Sequence, residues 1–291
     1  MTVLSGIAIF SFPYFLCMLL VLSSAVLLTL LCKSLGKRFA NRLILFILWA
    51  NFALHFLKQL SPYYLEDFPT SLSKSSFENL CSVLIVIGPF LYLYGGKYGR
   101  DYLYYIGSVS CLVVLLAPTS LQGVDLHSLE GYLEAFRFYS CHAPLLFVGP
   151  CMCAAKIHEL NYHRLWAIPF MFCLVQLLIF VNDMLLNLTL YSYPWDIFFS
   201  RYCGMSNASF TMGPAEALDP LLGATYQYMP RYLMTYIGKD GMLYFVPVLW
   251  LFLPVCILTA VLGPLFALPF DHRRMGADLR RSFLRLSRRS S

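Results

Sequence analysis

Charge is what this sequence has least of. Only 12% of its 291 residues are Asp, Glu, Lys or Arg, while 59% are hydrophobic, against roughly 25% charged in an ordinary soluble domain. A soluble fold so poor in charge has little polar material with which to cover its surface. Metal-ligand spacing is also missing. The ten Cys are scattered in or beside apolar runs, where they read as small buried hydrophobes. Cys141, Cys151 and Cys153, near His142 and His158, are strung along one apolar segment, so neither a metal nor a cofactor is expected. No basic segment precedes the first apolar run, Ile7 to Cys32, which is longer than a signal-peptide core. It reads as a retained helix.

What the chain has in abundance is apolar runs of about twenty residues, the length an α-helix needs to cross roughly 30 Å of hydrocarbon. Spans are expected near 9–31, 43–60, 77–95, 102–119, 137–155, 165–187 and 243–268. The fold class is therefore an all-α polytopic bundle of about seven transmembrane helices over residues 1–270, followed by a basic tail, 271–291. Aromatic residues reach 16%, and many Tyr fall where apolar runs meet polar loops, as expected of rings at headgroup depth.

Alternate loops of that arrangement differ in charge. One set holds Lys33, Lys37, Arg38, Arg42, Lys97, Arg100, Lys156, Arg164 and seven Arg from Arg273 to Arg289, which is 15 of the 21 basic residues. The positive-inside rule assigns that side, and the C-terminus, to the cytoplasm and the N-terminus to the outside. The outer set carries Glu66, Asp67, Asp125, Glu130 and Glu134, with Asn207-Ala-Ser209 and Asn187-Leu-Thr189 as glycosylation acceptors in a eukaryotic cell. The net charge of +6 follows from the basic loops and tail and gives no reason to expect nucleic acid. Arginines in the tail alternate with Met275, Leu279, Phe283, Leu284 and Leu286, a pattern that suits either an amphipathic helix on anionic lipid or a topological stop signal.

Polar groups inside apolar runs must be solvated by something other than lipid. Glu78, Asn79 and Cys81 open the third run, His142 opens the fifth, Asn182, Asp183 and Asn187 close the sixth, and His55 and Lys58 close the second. Alternating helix direction brings them all to one depth. A thiol and an imidazole at one level suit nucleophilic catalysis, with Cys81 attacking a carbonyl, His142 moving the proton, and Asn182 or Asp183 orienting the ring. Backbone N–H groups at Asn79 to Cys81 would face the oxyanion. The plainer reading stands beside it: a Cys in such a helix usually packs, a His usually bridges helices, and Glu78 caps its helix. His55 and Lys58, one turn apart, suit a phosphate headgroup, although snorkelling alone explains Lys58.

The stretch Arg137-Phe-Tyr-Ser-Cys-His142-Ala-Pro-Leu-Leu-Phe-Val-Gly-Pro150 resembles the His-bearing helix of the transmembrane protein 164 family and its bacterial multi-pass relatives. Asn79-Leu-Cys81, 61 residues before His142, resembles that family's Cys-bearing helix, and Tyr105-Ile-Gly107 through Pro118 is similar to the helix between them. The chain departs at Phe77-Glu78-Asn79-Leu80, where a Pro and His precede the Cys in the bacterial relatives. It departs again at Gly223-Ala-Thr225-Tyr226, where Thr225 stands in place of Asn.

The resemblance implies a cysteine-dependent acyltransferase acting on membrane phospholipids and lysophospholipids, in the plasma membrane or an endomembrane. Cys81 would be the nucleophile, His142 the base and Asn182 a polar site position, with Tyr226 and Asp183 lining the substrate path. Two other classes stay open. A seven-helix receptor or solute transporter fits the topology, but Tyr92-Leu-Tyr-Gly-Gly carries no Asp-Arg-Tyr-like run and the halves show no repeat. A non-enzymatic scaffold fits the departures around Cys81.

Overall fold

A computed structural model describes residues 10–118, 121, 124–214, 230 and 234–287 of the chain. Helix α1, Phe12–Leu57, begins where Ser11 accepts from the Tyr14 N–H and Pro13 sits in the first turn, a start that uses proline where its missing N–H does no harm. It runs for 46 residues and is interrupted by Gly36, at φ 83° and ψ 176°, a conformation open to glycine because it has no Cβ. After the short α2, Pro62–Leu65, come α3, Leu80–Tyr94, α4, Gly96–Tyr102, and α5, Ser108–Leu116, with one π turn, Leu103–Gly107, between the last two. Helix α6 spans Leu129–Ala154, α7 Ala167–Leu186, α8 Trp195–Phe198 and α9 Leu249–Ser287. The one sheet among the described residues is a hairpin of β1, Thr235–Ile237, and β2, Leu243–Phe245, antiparallel with Tyr236 opposite Tyr244.

Three helices, not seven, are long and apolar enough to cross a membrane among the described residues: Phe12–Leu60, Ala167–Tyr191 and Leu249–Ser282. They make the chain a multi-pass integral membrane protein. Each exposes an apolar face, with Leu19 and Leu27 on the first, Phe170 and Leu174 on the second, Leu258 and Val261 on the third, as lipid-facing helices do and soluble ones do not. The seven-span expectation fails for separate physical reasons. The first two runs fall in one helix, because the basic residues 33–42 stay helical on either side of Gly36. The third is 15 residues, about 22 Å of helix against the ~30 Å required. The fourth is split between a π turn and the nine-residue α5, and the fifth lies in α6, diluted by Arg137, His142, Pro144 and Pro150. With three such helices the alternation of loops that assigned an outer N-terminus and a cytoplasmic C-terminus no longer holds.

The core is built where α6 lies along α1 and against the π turn and α5. Small residues set the separation. A Cβ on Gly149 would sit 2.6 Å from the Tyr104 Cα, and one on Gly107 would sit 2.9 Å from the Leu145 carbonyl. Close backbone approach at glycine is how apolar helices gain contact where the hydrophobic effect gives no preference between lipid and neighbour. Polar links cross the same interfaces: Tyr104 Oη donates to the Phe266 carbonyl at 2.7 Å, Tyr14 Oη to the Leu116 carbonyl at 3.2 Å, and Asn51 Nδ2 to the Cys141 carbonyl at 2.9 Å.

A buried ion network ties α4 to the segment that follows α6. Asp101 is 1% exposed and accepts from His158 Nε2 at 2.7 Å and Arg164 Nη2 at 2.9 Å, with Arg164 Nε also on its carboxylate. The tail does not begin at a break, because α9 continues through residue 271. Its polar half docks on the 159–163 loop. Asp271 accepts from the Tyr162 N–H at 2.8 Å, Asp278 from Tyr162 Oη at 2.6 Å, and Arg274 pairs with Glu159 at 2.5 Å.

Both proposed glycosylation acceptors are already used. Asn207 Nδ2 donates to the Arg201 and Gly213 carbonyls at 2.7 and 3.1 Å while its Oδ1 accepts from the Met212 N–H at 2.8 Å. Asn187 is buried and bonded both ways to the Tyr193 backbone. An amide nitrogen held inside a turn cannot carry a glycan without unfolding that turn.

Candidate functional site

The fourth turn of α6 carries His142. Nδ1 lies 2.7 Å from the Phe138 carbonyl oxygen. A carbonyl only accepts, so Nδ1 holds a proton and donates it there. The orienting acceptor is therefore a backbone carbonyl one helical turn earlier, in the place expected for Asn182 or Asp183. Asn182 instead donates Nδ2 to Ser76 Oγ at 3.1 Å.

Two thiols approach this ring. Cys141 Sγ is 3.3 Å from Nδ1 and 3.2 Å from the same Phe138 carbonyl, so it lies against the protonated edge. Cys81, from α3, is among the groups that interact electrostatically with the His142 ring, while the hydrogen bonds of that ring among the described residues go to the Phe138 carbonyl and Cys141. The sequence pointed to Cys81 and missed the closer approach of Cys141, which adjacency in the chain alone gives no reason to expect.

Cys81 occupies the first turn of α3, where the Asn79 side chain accepts from the Ser82 N–H at 2.9 Å. The Leu80 N–H is taken by Ser209 Oγ, at 2.8 Å, from the segment after α8. Of the three donors expected to face an oxyanion, the Leu80 N–H is thus satisfied, which leaves the Asn79 and Cys81 N–H groups without an acceptor among the described residues. Ser209 is in turn positioned from α7, where Gln176 donates to its carbonyl at 3.2 Å and accepts from Thr211 Oγ1 at 3.1 Å. No local pattern announces Ser209, because its partner is 129 residues away.

Cations gather beside the thiols. Arg137, one turn before Cys141 on the same face of α6, pairs with Glu134, Nε to Oε2 at 2.6 Å, and brings Nη1 to 4.0 Å from Cys141 Sγ. Lys58 donates to the Lys74 carbonyl. Lys58 and Arg137 both lie over the Tyr64 ring, at 5.6 and 5.5 Å from its centroid, an arrangement that ring electron density favours. His55 is 5% exposed, and its Nε2 has no hydrogen-bond partner among the described residues. Lys58, Arg137 and His142 all fall within electrostatic range of His55. The Lys74 ammonium is 3.4 Å from Glu78, so Glu78 is an ion-pair partner as well as the residue before the helix cap.

Asp183 stands apart from the imidazole. It is fully buried, and neither carboxylate oxygen has a hydrogen-bond partner among the described residues. A buried, unpaired acid in an apolar helix is costly and marks a site by default. Tyr226 lies outside the described residues. No group of three or more His, Cys, Asp or Glu able to hold a metal occurs among the described residues. No family model, curated protein or solved structure matches the chain.

Proposed function

We propose that the protein is a cysteine-dependent acyltransferase that moves an acyl chain between membrane phospholipids through a thioester on Cys81, in the plasma membrane or an endomembrane. The observation that carries the reading is the His142 ring, anchored through Nδ1–H on the Phe138 carbonyl, with the Cys81 thiol of α3 among the groups that interact with it. In the first half-reaction Nε2 takes the Cys81 thiol proton as sulfur attacks the ester carbonyl. The Cys81 N–H faces the oxyanion, and the lysophospholipid leaves with the proton returned from Nε2. In the second, Nε2 takes the proton of an acceptor hydroxyl, the oxygen attacks the thioester, and Cys81 departs as the thiol.

Cys141, 3.3 Å from the same ring, is the competing nucleophile, and the resemblance is what assigns the role to Cys81. The resemblance of the Cys81 and His142 segments to the transmembrane protein 164 family supports the same chemistry. So does the membrane setting, since neither substrate then has to leave the bilayer. Incubation of the purified chain with labelled phospholipid, followed by peptide mass analysis, tests the reading: a hydroxylamine-labile acyl group on Cys81, lost with His142→Ala, is the expected result. A folded protein that acquires no such adduct from any of several donors would sink it.

A further inference from the structure

We propose that Lys58, Arg137 and His55 form a binding site for the phosphate of a lipid headgroup, placed to hold a substrate against the neighbouring thiol and imidazole. Its role in catalysis rests on the acyl-transfer reading above, whereas the site itself does not. Three elements converge to make it: the last turn of α1 gives His55, the 3-10 turn after it gives Lys58, and α6 gives Arg137.

Donor capacity is left over at each group. Lys58 uses one of its three N–H bonds, on the Lys74 carbonyl. Arg137 uses Nε and Nη2 on Glu134, and Nη1 has only a contact with Cys141 sulfur at 4.0 Å. His55 Nε2 is buried without any partner. A polar nitrogen that is desolvated and left unbonded is costly. An imidazole in that state between two cations is best satisfied by an anionic oxygen that all three donors share.

Phosphate suits the geometry better than a lone carboxylate, because its several oxygens can serve a planar guanidinium fork and a point ammonium together. Tyr64 limits where the cations can go by presenting its face to both. Glu134 is the counter-ion that holds Arg137 when the site is empty, with Tyr64 Oη 3.4 Å from its Oε1. An incoming phosphate must therefore compete with Glu134, and neutralising that residue should favour the ligand. Arg137 and Cys141 are four residues apart on one helix face, so a phosphate held here lies within about one turn of the reacting groups.

The test is binding to the full chain in detergent, read in the Cys81→Ala protein so that failure of acyl transfer leaves it untouched. The probes are monooleoyl glycerophosphate, the matched monooleoylglycerol without phosphate, and inorganic phosphate at equal ionic strength, each followed by the shift in thermal unfolding. The phosphate-bearing lipid is expected to bind at least tenfold more tightly than the neutral one. Lys58→Met, which keeps the apolar stem, should remove that preference, and Glu134→Gln should strengthen it. Equal binding of the two lipids, or a preference unchanged in Lys58→Met and Glu134→Gln alike, overturns the site. Inorganic phosphate binding as tightly as the lipid overturns the headgroup as its source.

Discussion

His142 Nδ1 sits 2.7 Å from the Phe138 carbonyl, with Cys141 Sγ 3.3 Å away on the same edge of the ring. That pairing divides the two thiols by role. Cys141 shares the Nδ1 edge and its carbonyl acceptor, and the acyl-transfer reading assigns the other ring nitrogen to Cys81.

Single substitutions separate them. Cys81→Ser should abolish the hydroxylamine-labile adduct, whereas Cys141→Ser should leave it largely intact, since serine can keep the bond to the Phe138 carbonyl. His142→Gln should slow acylation by about 10²–10⁴-fold, the usual range for a lost general base. Stopped-time acyl transfer followed by peptide mass analysis reads all three. An adduct on residue 141 in the native chain would reverse the roles of the thiols.

Some of this arrangement was open to sequence reading and some was not. α7 and α9 stand out as uninterrupted apolar runs, and a run of that kind is visible in hydropathy. Hydropathy does not report helix length or continuity, however. Lys33, Lys37, Arg38 and Arg42 look like a loop because they are basic, yet they are good helix formers, and only Gly36 interrupts α1. Placing His55, Lys58, Cys81 and His142 at one depth relied on alternating seven spans, an alternation that three long helices do not provide. Arg137 offered a local signal, its i, i+4 spacing from Cys141, that an argument from depth passes over. The Phe138 carbonyl offered none, since every residue carries the same group, and Asn182 was assigned a task that backbone performs.

Asn207 provides a structural test of a position that resembles a modification site. Its amide makes three bonds that close the turn from residue 201 to 213. Asn207→Asp replaces two donors with an acceptor and should destabilise the protein by about 1–3 kcal/mol, read as a lower unfolding temperature. Protein expressed in eukaryotic cells should show no glycosidase-sensitive mass at this residue.

The Gly149 contact predicts a steric effect of a different kind. A methyl group there meets the Tyr104 backbone at 2.6 Å, and backbone cannot rotate away as a side-chain tip can. Gly149→Ala should destabilise by about 1–3 kcal/mol and Gly149→Val by more. Gly276→Ala meets nothing within 4 Å and should leave the unfolding temperature unchanged or slightly higher. Equal effects at the two positions would mean that the α6 interface is looser than described.

The Asp101 network predicts a loss of stability without loss of chemistry. Removing the carboxylate leaves Arg164 and His158 without their buried acceptor, and breaking such a pair costs about 3–5 kcal/mol. Asp101→Ala should therefore unfold at markedly lower temperature. At temperatures where it stays folded it should still acylate Cys81, because the network lies in α4 and the segment after α6, beyond the C-terminal ends of α3 and α6, whereas Cys81 is in the first turn of α3.

The clamp that holds the tail makes a prediction in pH. The Tyr162 hydroxyl, with the neighbouring His163, holds the exposed Asp278 carboxyl below the usual carboxylate range, and the same bond raises the Tyr162 phenol. A depressed acid contributes its stabilisation above its unfolded value, about 3.9, and loses it as pH falls through the folded value. The clamp should thus be intact at neutral pH and release only on acidification below about 4. Carboxyl NMR of Asp278 should show its midpoint moving up, toward the ordinary value, in Tyr162→Phe. At neutral pH that variant should also be cut faster by trypsin at Arg280 and Arg281, since α9 would have lost an anchor on the 159–163 loop. An unchanged Asp278 midpoint together with unchanged cleavage would show that Arg274 and Asp271 hold the tail without it.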